Sequence, residues 1–102
     1  MIVTVFRSRL REEAHAEYGP VAEQMERLAS SMPGFISLKR FAADDGERVT
    51  IIEFESEKDQ RDWREHAEHR IAQVAGRDRF YSAYKIQVCT PTRTREFERE
   101  NS

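Results

Sequence analysis

The spacing of hydrophobic positions changes along the first part of the chain, and each spacing predicts an element of secondary structure. Residues 1–10 are rich in β-branched and aromatic side chains, which favours a strand. From about residue 12 to residue 31 the apolar side chains recur every three or four positions, which places them on one side of a helix. The pair Gly19-Pro20 is expected to interrupt that helix or to begin its regular part, and Pro33-Gly34 ends it.

The middle of the chain predicts a hairpin followed by a second helix. Residues 35–42 and 48–56 are two strand-like runs, and they flank the turn cluster Asp44-Asp45-Gly46. The second helix is expected to open with Ser56 as its N-cap and to run toward residue 74, because apolar side chains recur on one stripe there.

The last predicted strand covers residues 82–90, and Pro91 halts it. The order βαββαβ predicts an α+β, ferredoxin-like domain over residues 1–92, in which two helices back a four-stranded antiparallel sheet. Residues 93–102 are expected to form a charged C-terminal tail that does not pack far into the core.

Both faces of the predicted sheet carry large apolar side chains. In the first strand Val3 and Val5 occupy one register, while Ile2 and Phe6 occupy the other. A sheet with one wet face alternates apolar and polar residues instead. Because two helices cover only one face, the other is expected to meet the same sheet of a second copy, which makes the protein a homodimer closed into a dimeric α+β barrel.

Composition narrows the classes of partner and site. The chain has 102 residues, enough for one small domain, and its 17 basic residues are interleaved with 19 acidic ones. At a net charge of −2 no sustained basic field is available, so nucleic acid is not an expected partner. The single cysteine, Cys89, excludes an intrachain disulfide and a Cys-rich zinc site. With neither a signal peptide's apolar core nor a long apolar run, we expect a cytoplasmic protein without a membrane partner.

Most candidate chemistry lies between residues 59 and 84, which hold the only tryptophan, two of the three histidines and two of the three tyrosines. His66 and His69 are three apart on the second helix, but no third ligand from a recognisable motif accompanies them, so no metal site is predicted. Either imidazole is a candidate acid or base near neutral pH. Trp63 lies on the helix's apolar stripe, which leaves open whether it is a core residue or a pocket wall.

Each candidate site residue on the strands also has a purely structural interpretation. Tyr84 shares a strand face with Ile86 and Val88, so its ring is expected to be buried, with the hydroxyl available to a pocket or to backbone. Tyr81 is expected to close the end of the last strand. Arg7 either edges a pocket or reaches solvent at the end of the first strand.

Several segments together resemble one family. They are the first strand IVTVFRSRL, the junction MPGF at residues 32–35, the strand VTIIEFES, and Trp63-x-x-His66-x-x-His69 followed by Phe80-Tyr81. This pattern, from about residue 2 to residue 88, resembles the antibiotic biosynthesis monooxygenase domain of the dimeric α+β barrel superfamily. The resemblance implies a homodimer with one pocket per chain between sheet and helices. Members of that family include cofactor-free oxygenases acting on phenolic polyketides or quinol-like aromatics, and haem-degrading enzymes.

The resemblance and the candidate residues give a functional expectation. We expect a monooxygenase that uses no cofactor and combines dioxygen with a small phenolic or quinol-like aromatic substrate. The expected catalytic residues are His66, His69 and Tyr84, and the expected substrate-binding residues are Trp63, Arg7, Phe6, Phe54 and Tyr81. The alternative is a non-catalytic dimer that binds a small molecule or acts as an accessory module. Haem degradation is less expected, because haem-degrading members carry an asparagine on the first strand and the only asparagine here is Asn101.

Overall fold

The computed structural model describes residues 1–74 and 77–100, and of residues 69–74 and 77–78 it describes the backbone alone. In chain order the elements are β1 (Ile2–Leu10), a 3-10 turn (Glu12–Ala14), α1 (His15–Ser31), β2 (Phe35–Ala42), β3 (Arg48–Phe54), α2 (Glu57–Val74), α3 (Arg77–Phe80) and β4 (Tyr81–Cys89). The predicted order βαββαβ is confirmed, and the short α3 between α2 and β4 adds to it.

The four strands form one antiparallel sheet in the order β2-β3-β1-β4. This is the ferredoxin-like arrangement that the sequence predicted, with two main helices against the sheet. The bounds of β2 agree with the predicted residues 35–42. β3 ends at Phe54, two residues earlier than predicted, because Ser56 already belongs to the start of α2.

The core lies between the sheet and the two helices. Ile2 pairs with Phe54 and Thr4 pairs with Ile52 across β1 and β3, so these side chains share one face of the sheet. Thr4, Ile52 and Phe54 are at most 2% exposed. Burying a side chain such as Phe54 contributes about 1.5–3 kcal/mol, so this face supplies much of the stability of so small a domain.

The first helix begins earlier than its proline suggested. α1 starts at His15, directly after the 3-10 turn, and Pro20 lies inside it. A proline within a helix removes one backbone hydrogen bond to the carbonyl four residues earlier. Gly19-Pro20 therefore does not interrupt α1, and the side chains that follow it, including the buried Val21 and Ala22, continue the face toward the sheet.

The predicted N-cap of α2 is confirmed. The Asp59 backbone N–H donates to Ser56 Oγ at 3.1 Å, and the Ser56 hydroxyl donates to Asp59 Oδ2 at 2.9 Å. This reciprocal pair satisfies a backbone donor that the first turn of a helix leaves free. It also fixes the Asp59 carboxylate in front of Gly34, which joins α1 to β2.

Replacing Gly34 by alanine is expected to destabilise the protein through two separate causes. Gly34 has φ +79, which L side chains rarely adopt, and a Cβ there would lie 2.1 Å from Asp59 Oδ2. The strain costs about 1–2 kcal/mol, and moving Asp59 away from Ser56 costs about 1 kcal/mol more through the lost cap. Denaturant unfolding of Gly34→Ala measures the sum.

Gly46→Ala is the matched control for that experiment. Gly46 in the hairpin turn has φ +93, but nothing lies within 4 Å of its added Cβ. We expect it to lose only the strain contribution of about 1–2 kcal/mol. Equal losses in the two variants would mean that the Asp59 cap contributes nothing at this junction.

The prediction that the Tyr84 ring is buried is wrong. Tyr84, Ile86 and Val88 lie on the helix side of β4, yet each is about two-fifths exposed, at 41%, 39% and 41%. β4 is an edge strand, and the main helix contacts are of α1 with β2 and of α2 with β3 and β1. The helices therefore leave the inward face of β4 partly open.

The face of the sheet that points away from the helices is apolar at its centre. Val5 pairs with Ile51 there, Val49 lies beside them, and Phe41 is 48% exposed. Ion pairs from Arg7 to Glu47 and from Arg9 to Asp45 lie toward one end of this face. A second sheet is the kind of partner that the predicted barrel places on such a surface.

Candidate functional site

A cavity of about 110 Å³ lies between the two long helices and the sheet. Its apolar wall combines aliphatic and aromatic side chains: Phe6, Ala22, Met25, Leu38, Ile52, Trp63, Ala67, Tyr81, Tyr84 and Ile86. Its volume is on the scale of an engineered cavity of about 150 Å³ that holds one benzene molecule. The space therefore matches a single ring, and the exposed Tyr84 and Ile86 lie where β4 leaves it open.

Aromatic rings form the side of the cavity next to β4. The Phe6 ring meets the Tyr81 ring edge-on at 5.5 Å between centroids, and the Tyr81 and Tyr84 centroids are 5.7 Å apart. The hydroxyl oxygens of Tyr18 and Tyr81 are 3.0 Å apart, which links α1 to β4 by a hydrogen bond. Three rings that sequence reasoning selected, Phe6, Tyr81 and Tyr84, thus come together at one place.

Trp63 turns out to be both a core residue and a cavity wall. It is 9% exposed, packs on Phe54 at 5.7 Å between ring centroids, and lines the cavity. Phe54 itself is fully buried and is not among the lining residues, so it lies behind the indole instead of touching a ligand. Phe54 was an expected substrate-binding residue, and this placement gives it the role of supporting Trp63.

Three buried polar atoms beside the cavity have no hydrogen-bond partner among the described residues. They are Thr4 Oγ1, Gln60 Nε2 and Trp63 Nε1, and all three residues line the cavity. A buried polar atom without a partner costs about 1–3 kcal/mol. Sequence reasoning missed Gln60 and Thr4; the one available signal was that Gln60 precedes Trp63 by three residues, which places both on one side of α2.

Charged side chains at the cavity come in both signs. Arg40 on β2 forms an ion pair with Glu26 on α1, and α2 contributes Arg64 and Glu68. Two cations and two anions leave these side chains with no net charge. These side chains therefore supply no net electrostatic preference for a charged ligand.

The predicted histidine site is not assembled by the described residues. His66 is exposed on α2, its Nδ1 lies 2.8 Å from the Asp62 carbonyl oxygen, and it does not line the cavity. His69 lies outside the residues whose side chains the structure describes. Of the two expected catalytic histidines, the structure therefore locates only His66, and it locates it away from the cavity.

Arg7 lies on the opposite face of the sheet from the cavity. Its guanidinium donates to both carboxylate oxygens of Glu47, at 2.9 and 3.0 Å. The hydrogen bond from Arg7 lowers the pKa of the Glu47 carboxyl from its usual value and so keeps that group ionised. Of the two alternatives for Arg7, the structure favours solvent over the edge of the cavity.

Two further features are absent from the described part of the chain. No group of three or more His, Cys, Asp or Glu side chains is arranged there to hold a metal ion. No helix within the same residues is long and apolar enough to cross a membrane.

Sequence comparison places most of these elements in a known family. A family model described as antibiotic biosynthesis monooxygenase matches residues 1–75, which run from β1 to the end of α2. The uncharacterized protein YqjZ of Bacillus subtilis (strain 168) is 33% identical over 91 residues, which cover 89% of this chain and 80% of that protein. The family-model match includes the strand that supplies Thr4 and the helix that supplies Gln60 and Trp63.

Structure comparison extends the likeness to the whole fold. SnoaB, a cofactor-independent oxygenase from Streptomyces nogalater, matches with a TM-score of 0.75 and 15% identity over 91% of this chain and 94% of that one. MhuD, solved with two manganese protoporphyrin IX molecules per active site, matches with a TM-score of 0.70 and 9% identity over 95% and 100%. At sequence identities this low, the two matches show that the fold is shared.

Proposed function

Because the chain belongs to the antibiotic biosynthesis monooxygenase family, we propose that it is a cofactor-independent monooxygenase that oxidises a small phenolic or quinol-like aromatic compound. The proposed site is the cavity between the sheet and the two long helices. SnoaB, which shares the fold, is a cofactor-independent oxygenase and supports this class of reaction.

The aromatic, one-ring cavity is the observation that carries the proposal. Its walls are Trp63 on α2 and the Phe6, Tyr81 and Tyr84 rings on β1 and β4, and aliphatic side chains complete it. A planar ring fits between such walls, and exclusion of water strengthens the polar contacts made inside. The volume of about 110 Å³ favours a monocyclic substrate over a polycyclic one.

The proposed reaction needs only the phenolic substrate, dioxygen and the protein's own residues. A phenol gives up its hydroxyl proton, and the phenolate passes one electron to dioxygen. The resulting substrate radical and superoxide combine at a ring carbon to form a peroxide. Cleavage of its O–O bond, with loss of the hydrogen on that carbon, leaves a quinone and one water, so one oxygen atom enters the ring and the other is reduced. The protein's part is to orient the ring, exclude water and favour ionisation.

Individual residues take distinct roles in this proposal. Trp63 forms the wall against which the ring packs. Tyr84, exposed where β4 opens the cavity, contacts the substrate as it enters. The Tyr18–Tyr81 hydroxyl pair positions the adjoining rings. His69 remains a proposed base, while Arg7 and His66 have no part in the cavity.

Oxygen uptake with a panel of monocyclic phenols and hydroquinones tests the function. We expect at least one compound to raise the thermal unfolding midpoint and to consume dioxygen above a blank without protein. Trp63→Phe should weaken binding of that compound, and Tyr84→Phe should lower the rate. Binding without oxygen consumption across the panel would instead support the non-catalytic, ligand-binding alternative.

Separate alanine variants are expected to show that the two histidines contribute differently to oxygen uptake. His66→Ala should leave oxygen uptake unchanged within error, because the described His66 side chain is exposed and outside the cavity. His69→Ala should lower uptake by roughly 10²–10⁴-fold if this imidazole is the general base. Circular dichroism of both variants checks that α2 still folds. A large loss with His66→Ala alone would contradict the site described above.

Haem turnover is expected to be absent. MhuD shows that this fold holds porphyrins, but a one-ring cavity is far smaller than a tetrapyrrole, and among the histidines with described side chains neither His15 nor His66 lines it. Titration with haem in the presence of a reductant, followed at the Soret band, measures both binding and turnover. Conversion to a ring-opened product would show that the prediction is wrong.

A further inference from the structure

A second cavity, of about 150 Å³, lies beside the first, near the hairpin that joins β2 to β3. Across the strands Arg48 pairs with Ser8 on one side and with Ala42 on the other, so these residues share the face of the sheet that carries Thr4 and Ile52. The lining consists of Ser8, Tyr18, Arg40, Phe41, Ala42, Arg48, Val49 and Thr50. None of the roles proposed above involves Ser8 or Arg48.

The two cavities are neighbours that share part of their lining. Tyr18, Arg40 and Thr50 border both of them. Arg48 precedes Thr50 by two positions on β3, which places it on the same face of the strand, about 7 Å further along. A ring that lies in the first cavity beside Thr50 therefore has Arg48 within reach of a short substituent.

The second cavity has a positive character that the charged residues of the first do not supply. Among the described residues its lining contains two arginines and no acidic side chain. Arg40 is paired with Glu26, which borders the first cavity. Arg48 forms no ion pair with a described side chain, and its guanidinium carbon lies 5.8 Å from the centre of the Tyr18 ring. This cation–π contact holds a positive charge beside a residue that both cavities share.

A lining of this kind suits a carboxylate. A guanidinium presents N–H donors in a fork that matches the two oxygens of a carboxylate, and the hydroxyls of Ser8, Tyr18 and Thr50 are further donors. We propose that the second cavity binds a carboxylate substituent of the substrate, so that the protein acts on a phenolic acid whose ring occupies the first cavity. This inference rests on the proposed function, because it names the class of phenol that the same site accepts.

The exposure of the arginines sets the size of the effect. Arg40 and Arg48 are exposed, so water still reaches a carboxylate bound there, and the desolvation that penalises buried ion pairs is small. The same exposure limits the gain, because an exposed charge pair contributes little, while hydrogen bonds to a charged group contribute more. Together they predict a preference of about three- to tenfold for an ionised substituent over a neutral one.

Acids and amides of the same shape test the proposal. The acids are 4-hydroxyphenylacetate and 3-(4-hydroxyphenyl)propanoate, and each has a neutral amide counterpart of equal size. Trp63 is the only tryptophan and borders the first cavity, so its fluorescence reports entry of the ring. We expect at least one acid to bind about three- to tenfold more tightly than its amide. That preference should fall as the salt concentration rises, because ions screen an exposed charge pair.

Two arginine variants separate the second cavity from the overall charge of the protein. Arg48→Met removes the cation and keeps an unbranched side chain, and it should reduce the affinity of the acid to that of its amide. Arg27→Met is the matched control, because Arg27 is exposed on α1 and borders neither cavity. It changes the net charge equally and should leave the preference for the acid intact. Circular dichroism checks that both variants fold.

Three results would overturn the proposal. The first is that both acids bind no more tightly than their amides, even if acetate or phosphate alone binds at Arg48, since the cavity would then hold a separate anion. The second is an Arg48→Met variant that keeps the preference. The third is an equal loss in Arg48→Met and Arg27→Met, which would assign the preference to net charge.

Binding and turnover judge the two ideas separately. If the acids show the preference and its dependence on Arg48 but no phenolic acid consumes dioxygen, the carboxylate site stands and the oxygenase function fails. If neutral phenols are oxidised while the acids bind no better than their amides, the function stands and the carboxylate site fails.

Discussion

Ile51→Lys is expected to leave the protein folded but monomeric, whereas Ile52→Lys, one position later, is expected to unfold it. The two side chains lie on opposite faces of β3. Ile52 is 2% exposed beneath the helices, and a lysine there would place an unpaired charge in the core. An uncompensated buried charge costs about 3–5 kcal/mol or more, which is a large part of the total stability of a small domain.

Ile51 faces away from the helices and pairs with Val5 and Lys39 on the neighbouring strands. Within one chain a lysine at this position reaches water, so folding should survive. In a barrel closed by two sheets it would be buried beside its symmetry mate, and the like charges would oppose association. Dimerisation and folding thus depend on adjacent residues for different reasons.

Light scattering and circular dichroism separate these outcomes. The unchanged protein should show about twice the chain mass of 12.0 kDa at micromolar concentration. Ile51→Lys should show the single-chain mass with a native circular dichroism spectrum, and Ile52→Lys should lose that spectrum. An unchanged protein that stays monomeric and soluble at this concentration would rule out the barrel, because the apolar face would then be exposed without a partner.

The element order was predictable because periodicity reports local geometry. A strand-like run beside a turn cluster was enough to predict β2 at residues 35–42, and Ser56 with Asp59 marked the start of α2 through a short-range cap. These features depend on neighbours in the sequence. Pro20 was less informative, because a helix that packs well tolerates the loss of one backbone bond.

Burial of Tyr84 was not predictable from the same pattern. Alternation correctly placed Tyr84 with Ile86 on the helix side of β4, but it does not tell how far two helices reach across four strands. The extent of helix cover depends on strand order. β4 is the less covered edge strand because the main helix contacts are with β2, β3 and β1. The face of the sheet on which a residue lies follows from the local sequence, whereas its burial depends on tertiary packing.

The candidate site was predictable in its aromatic half only. Trp63, Phe6 and Tyr81 were selected for their ring chemistry, and all three line the cavity. Gln60 and Thr4 carry no titratable group and occur in no motif, and the one signal in the sequence, the position of Gln60 three residues before Trp63, does not tell that the side chain is buried. Their significance appears only when burial is known, because an unpaired polar atom is unusual inside a protein and ordinary outside it.

Ala22→Leu is expected to abolish most turnover and yet to stabilise the protein. Ala22 is 8% exposed on α1 and lines the cavity. The larger side chain adds three carbon atoms that project into the space proposed for the substrate ring. Filling an existing void typically raises the free energy of unfolding by about 0.5–2 kcal/mol, while displacing the substrate should lower oxygen uptake by roughly 10²-fold.

Ala16→Leu supplies the matched control on the exposed side of the same helix. It adds the same atoms to α1 without entering the cavity, so neither the unfolding free energy nor the rate should change much. Denaturant unfolding and oxygen uptake on all three proteins, with a phenol found by the ligand panel, give the comparison. A stabilised Ala22→Leu that keeps full activity would place the reaction outside this cavity, and the apolar face around Val5 and Ile51 would become the next surface to test.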